Sequence, residues 1–162
     1  MKNIFKKSIS ILLTLLILIS IAPTSVVTYA GDTVDSGDGI TWSFDGETLV
    51  VGGSGELSST YTSTEEWKGM QNKCANVLIE GDVTIIGDNA FKGFTAVKKV
   101  EVTSQLETVG KYAFSDCIAI EEINLPDSVT VIGDYAFSGC TALKDFQFPE
   151  NLIKINNEDF TS

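Results

Sequence analysis

The chain contains no histidine and no arginine in its 162 residues. Without histidine there is no Ser-His-Asp or Cys-His nucleophile pair, and no imidazole to hold a metal. Without arginine there is no bidentate clamp for a carboxylate or a phosphate. Carboxylates, lysines, tyrosines and thiols are what remains for chemistry. Cysteine is scarce: Cys74, Cys117 and Cys140 make an odd count and form no CxxC, so no metal site is expected. Positive charge is scarce as well, with 11 basic residues against 22 acidic ones and a net charge of −11. Phosphate backbones and anionic lipid surfaces require clustered basic residues, so no nucleic-acid partner is expected. The acids are spread along the chain, as on a solvated surface rather than in an acidic tail.

Only one long apolar run exists. Lys2, Lys6 and Lys7 precede it, residues 9–21 are almost wholly apolar, and Pro23 ends it. Thr28-Tyr29-Ala30 then supplies small residues three before and one before a cut. This layout predicts a secretory signal peptide over residues 1–30, cleaved before Gly31. The run is short of the ~20 residues that span a bilayer, so no membrane insertion is expected after cleavage. Removing the three lysines leaves eight against 22 acids, a balance that suits solubility outside a cell. Residues 31–39 read as an acidic, glycine-rich linker. Asp32, Asp35 and Asp38 within it resemble a calcium loop only weakly, because their spacing is three rather than two and no glutamate closes the set.

Beyond the linker the chain repeats. Ile86-Gly87-Asp88-Asn89-Ala90-Phe91 returns as Val109-Gly110-Lys111-Tyr112-Ala113-Phe114 and as Ile132-Gly133-Asp134-Tyr135-Ala136-Phe137. A worn copy runs from Ile155 to Phe160, and the step is 23 residues each time. Rows of that length begin at Cys74, Val97, Ile120 and Leu143. Their fourth column reads Val77, Val100, Ile123, Phe146, and their sixth reads Ile79, Val102, Leu125, Phe148. Apolar positions four and six alternate with polar ones, the period of a strand with one buried face. Identical rows stack such strands in parallel, each burying its face only against its neighbours. The stretch from Gly133 to Cys140 is too short for a helix, and a single helical or 3₁₀ turn is expected there.

The row from Ile120 to Leu143, with Leu125-Pro126, Ser128-Val129, Ile132-Gly133, Ala136-Phe137 and Cys140 at their places, resembles the BspA-like class of bacterial leucine-rich repeat. The resemblance covers residues 74–160. It implies an α/β leucine-rich-repeat solenoid, predominantly β, on a secreted or cell-surface protein that binds or adheres without catalysis. Residues 40–73 read as an N-terminal cap. Trp42 and Phe44, then Asp45-Gly46, then Leu49-Val50-Val51 predict a hairpin, after which Gly52 to Gly55 are expected to turn the chain away. Trp42 and Trp67 would plug the cap's small core. Residues 74–162 hold about three and a half repeats. The last is degenerate, with Asn156 for glycine and Asp159 for alanine, as a terminal repeat facing water or the front of a longer surface protein or secreted hydrolase. No sorting motif, lipid-anchor cysteine or cell-wall module is legible.

The candidate site is the polar side of the stacked strands. Lys98, Glu121 and Lys144 share one column, Lys99, Glu122 and Asp145 the next, and Leu78, Glu101, Asn124 and Gln147 the next. Opposite charges one row apart can pair. Lys98, Glu101, Glu121, Asn124, Lys144 and Gln147 are the residues expected to contact a protein or glycan partner. Tyr112 and Tyr135 stack elsewhere, as a turn-stiffening ladder or as a platform for a sugar. Cys117 and Cys140 share a column with Phe94, which favours buried thiols over a disulfide between rows. The acid pairs Glu65-Glu66 and Glu121-Glu122 cannot face each other across a cleft as glycoside hydrolysis requires. No catalytic residue, cofactor or metal ligand is expected.

Overall fold

A computed structural model describes residues 34–35, 39–58 and 63–155. The expected signal peptide, Asp32, Asp38 and residues 156–160 of the worn copy lie outside them. The 23-residue step is visible directly in the strand register. Strands β4 (Asn76–Ile79), β6 (Lys99–Val102) and β8 (Glu122–Asn124) are parallel, with Asn76 beside Lys99 and Lys99 beside Glu122. Their apolar alternates Val77, Ile79, Val100 and Ile123 are buried, and Lys99, Glu101, Glu122 and Asn124 stay exposed.

Each row also contributes a second, shorter strand. β5 (Asp82–Ile86), β7 (Thr108–Val109), β9 (Val131–Ile132) and β10 (Lys154–Ile155) form a second parallel ladder. Two-residue strands are too short to display an alternation, so the sequence marked only their apolar columns. Val83, Leu106, Val129, Ile86, Val109 and Ile132 are fully buried. The core is thus enclosed by two ladders and by the turns that follow.

In those turns Ala90, Ala113 and Ala136 each donate to the glycine three residues earlier, at 3.3 Å. The third residue of each turn is left-handed: Asn89 at φ 60°, Tyr112 at 54° and Tyr135 at 58°. That is the dihedral pattern of a type II turn, and it stops the single turn from growing into a helix. Successive turns lock together, since Asn89, Phe91 and Gly93 donate to Lys111, Ala113 and Ser115 at 2.7–2.8 Å. Beneath them Phe91, Phe114 and Phe137 stack, with ring centroids 5.1 and 5.5 Å apart and planes within 8°. Burying such a side chain stabilises the fold by roughly 1.5–3 kcal/mol.

At the N-terminal end β2 (Ile40–Phe44) and β3 (Thr48–Leu57) form the expected antiparallel hairpin around Asp45-Gly46. The Asp45 carboxylate accepts hydrogen bonds from the Thr48 and Glu47 backbone N–H groups at 2.7 and 2.9 Å. These bonds hold its pKa below the ordinary value. Gly52 to Gly55 do not turn the chain away as expected; β3 continues through them. Gly53 and Gly55 adopt φ of 94° and 96°, and a register shift between Gly55 and Glu56 bends the strand. Glycine's freedom here makes a bend rather than a reversal. The first half of β3 therefore pairs with β4 and the second half with β5, so β3 is a rung of the solenoid in its own right.

Val34–Asp35, in the stretch expected to be a linker, form strand β1 against β2. The outer edge of β2 carries unpaired backbone groups that a short strand can satisfy. Helix α1 (Glu65–Lys68) is capped by Thr64, whose hydroxyl accepts from the Trp67 N–H. It delivers Trp67, 1% exposed, into the core, where the indole N–H donates to the Ala90 carbonyl at 2.8 Å. The ring touches Trp42, Phe91 and Phe94, so the tryptophans bridge the hairpin and the first repeat.

The fourth row departs from the pattern. Residues 143–149 form no strand, and Phe148, expected in the core, is 51% exposed. A regular fourth strand would set Asp145 beside Glu122, and like charges directly opposed weaken a ladder. Pairing resumes at β10.

Candidate binding face

The solvent side of the first ladder collects the expected contact residues to different degrees. Glu101 and Asn124 are register partners on β6 and β8. Lys98 and Glu121 each stand one residue before a strand and are joined through the backbone, Glu121 N–H donating to the Lys98 carbonyl at 2.9 Å. Lys144 and Gln147 are exposed on the irregular fourth row, outside the ladder. All six side chains are exposed.

The strongest electrostatic node on this face is Lys99, which was not one of the six. Its ammonium lies 3.5 Å from Glu101 and 3.9 Å from Glu122. Asn124 adds a 2.7 Å hydrogen bond to Glu122. One ammonium thus serves two carboxylates and leaves a net negative charge. The like-column pair Lys98 and Glu121, by contrast, forms no ion pair among the described residues. Both contacts of Lys99 are half-exposed, so each contributes at most about 1 kcal/mol.

Beside Lys99 the face dips into a shallow depression of about 190 Å³ lined by Thr48, Asn76, Val77, Leu78, Lys99 and Glu101. Thr48 reaches it because β3 pairs Thr48 with Asn76, a step of 28 residues rather than 23. A reading confined to the 23-residue rows could not place it. The column of Leu78, Glu101 and Asn124 was the available signal for the rest.

The other candidates resolve as structure. Tyr112 and Tyr135 are parallel within 3° at 5.0 Å, and Lys92 lies 5.1 Å from the Tyr112 ring centre. The Tyr112 ring is thus engaged by a ring and an ammonium. Cys74, Cys117 and Cys140 are free thiols. Cys117 donates to the Phe91 carbonyl at 3.0 Å and Cys140 to the Phe114 carbonyl at 3.1 Å, each reaching back one rung. Burial pushes the Cys74 and Cys140 thiols up to about 12 and Cys117 higher still, which keeps them protonated at neutral pH. Glu65 pairs with Lys68 at 3.2 Å, and Glu121 and Glu122 are exposed. Among the described residues no cluster of acids or thiols is arranged to hold a metal, and no helix is long and apolar enough to cross a membrane.

Parallel rungs at a fixed step, a stacked phenylalanine spine and a polar strand face define a leucine-rich-repeat solenoid. The family model for the BspA type leucine rich repeat region matches residues 68–162, and the chain belongs to that family. A leucine-rich repeat protein from Eubacterium ventriosum has a similar structure, with a TM-score of 0.67 and 27% identity over 76% of this chain. The match spans 33% of that protein's chain. A T. pallidum leucine-rich repeat protein aligns with a TM-score of 0.48 and 20% identity, over 73% of this chain and 51% of its own. No curated protein matches the chain.

Proposed function

We propose that the protein is a secreted or cell-surface recognition module that binds a protein or glycan partner without catalysis, through the solvent face of its first ladder. The carrying observation is the register of β4, β6 and β8, which sets Lys99, Glu101, Glu122 and Asn124 side by side on a rigid, exposed surface. Preorganised side chains lose little entropy on binding, which is what a recognition surface needs. Membership of a repeat family whose proteins serve as binding scaffolds supports the same reading. The sequence pattern of residues 1–30 supports export.

The test reverses charge at Lys98, Glu101, Glu121 and Lys144 together and replaces Asn124 and Gln147 with lysine. Binding is then measured against a random peptide display library and a printed glycan panel. Loss of binding with an unchanged melting temperature is the expected result. Undiminished binding would remove the face from consideration. Export is checked by the intact mass of the native protein in culture medium and on washed envelopes, where a mass beginning at Gly31 is expected.

A further inference from the structure

We infer that the partner is a polypeptide, and that it anchors an aliphatic side chain, flanked by a lysine or arginine, in the depression between Thr48 and Lys99. This rests on the binding-face reading above and narrows it. Three observations on the face carry the inference.

The first is the floor. Leu78 is the one large aliphatic side chain on the solvent side of β4, and it is half-buried between Thr48, Asn76 and Lys99. The depression of about 190 Å³ has room for a branched aliphatic group. The register partner of Leu78 on β3, Val50, is buried at 7% exposure, so Leu78 is the aliphatic group that this side of β3 and β4 presents. Desolvated apolar pockets ringed by polar groups are where interface energy concentrates.

The second is charge. Glu101 and Glu122 share the ammonium of Lys99, at 3.5 and 3.9 Å, and the exposed Glu121 stands beside the exposed Lys98, so three acids face two lysines on these rows. The excess of one negative charge is carried by the β6 and β8 rows beside the depression. A cation on the ligand, one or two residues from the aliphatic anchor, would complement it.

The third is what the face is made of. From Thr48 to Asn124 the solvent-side residues of β3, β4, β6 and β8 include no aromatic ring. A sugar ring seated over β4, β6 and β8 would have no aromatic surface from these strands to lie against. Tyr112, exposed, and Tyr135, half-buried, are on the turns instead, with their rings stacked on each other. The chemistry of the face therefore fits an amino-acid side chain better than a glycan.

The probes are phage-displayed random dodecapeptides and a printed glycan panel, used with the secreted full chain and two variants, Leu78→Asp and Asn76→Trp. The first variant charges the floor and the second fills the depression. Each is checked by its melting temperature, and Asn76→Trp alone decides if Leu78→Asp does not fold. The expected result is enrichment of peptides with an aliphatic residue close to a lysine or arginine, bound roughly tenfold or more weakly by both variants. Peptides that bind both folded variants as tightly as the parent would overturn the inference. Glycan binding that is lost in the charge-reversed face variant but kept in Leu78→Asp would also overturn it, while leaving the binding face itself in place. Selected ligands indifferent to every face variant would overturn both readings.

Discussion

Gly133 packs directly on Gly110: a Cβ placed on Gly133 would lie 2.7 Å from the Gly110 carbonyl carbon. Gly110 meets the preceding rung in the same way, with its would-be Cβ 2.7 Å from the Asp88 nitrogen. The conserved spacing of this column within the chain is therefore a packing requirement between backbones. Neither residue has a left-handed φ, so the backbone itself would accept alanine, and reduced freedom of the unfolded chain would even favour it. Gly110→Ala should nonetheless destabilise the protein by about 1–3 kcal/mol, because two rungs must separate to admit one methyl group. Urea denaturation measures this, and a midpoint at or above the parent's would show that the rungs are not in this contact.

Tyr112 combines two opposing effects. A non-glycine residue in the left-handed region costs roughly 1–2 kcal/mol, while the stack on Tyr135 returns about 0.5–1.5 kcal/mol. Asparagine tolerates φ near 54°, as Asn89 does one row earlier at 60°. Tyr112→Asn should therefore change stability by less than about 1 kcal/mol, with strain relief offsetting the lost ring. Tyr112→Val loses the ring and places a β-branched residue at the same dihedral, so it should be clearly worse. Equal stability of the two variants would refute the strain argument.

What was legible in the sequence follows from which features repeat at a fixed step. The phenylalanine column, the β4–β6–β8 alternation and the glycine column all recur every 23 residues, so one row exposes each of them. Strand β3 was hidden because glycines at Gly52, Gly53 and Gly55 read as a turn, and only tertiary pairing shows that they bend a continuous strand between two sheets. For the same reason Thr48 was missed as a neighbour of Asn76. The second ladder shows no strand alternation in the sequence, since residues such as Val131–Ile132 are too few to show a period. Phe148 falls in a core column by spacing, but a fourth strand would oppose Asp145 to Glu122, and without that strand the ring is 51% exposed. Of the site, the exposed ladder was legible, whereas the sharing of Lys99 between two carboxylates depends on side-chain geometry that spacing does not fix.

Ser104 sits at the corner between the two ladders, 2% exposed, and its hydroxyl has no hydrogen-bond partner among the described residues. The same column holds Gly81 and Asp127, so no common side-chain chemistry is required there. Leaving a buried hydroxyl unpaired costs about 1–3 kcal/mol, a penalty that alanine does not carry. Ser104→Ala is accordingly expected to be neutral or stabilising, with a thermal midpoint equal to or above the parent's. A lowered midpoint would mean that the hydroxyl does find a partner.

The thiols make stability fall at alkaline pH. In the unfolded chain a cysteine ionises near its ordinary value of 9.0, while burial raises Cys74 and Cys140 to about 12 and Cys117 further. Between those values the unfolded state has released protons that the folded state still holds. More protons bound in the folded state means that unfolding becomes easier as pH rises. The contribution of the neutral thiols is thus fully present below about pH 9 and is lost progressively toward about pH 12. Other groups also titrate in this range, so the comparison must be internal. Urea midpoints of the parent and of a Cys117→Val, Cys140→Val double variant, taken at neutral pH and at about pH 10.5, isolate the thiol part. The double variant should lose less of its midpoint than the parent does. Equal losses would place the alkaline sensitivity elsewhere. The same burial predicts that a thiol-specific reagent labels Cys74 and Cys117 of the native protein only as fast as the fold opens, that half-buried Cys140 is labelled first, and that all three react at once in denaturant.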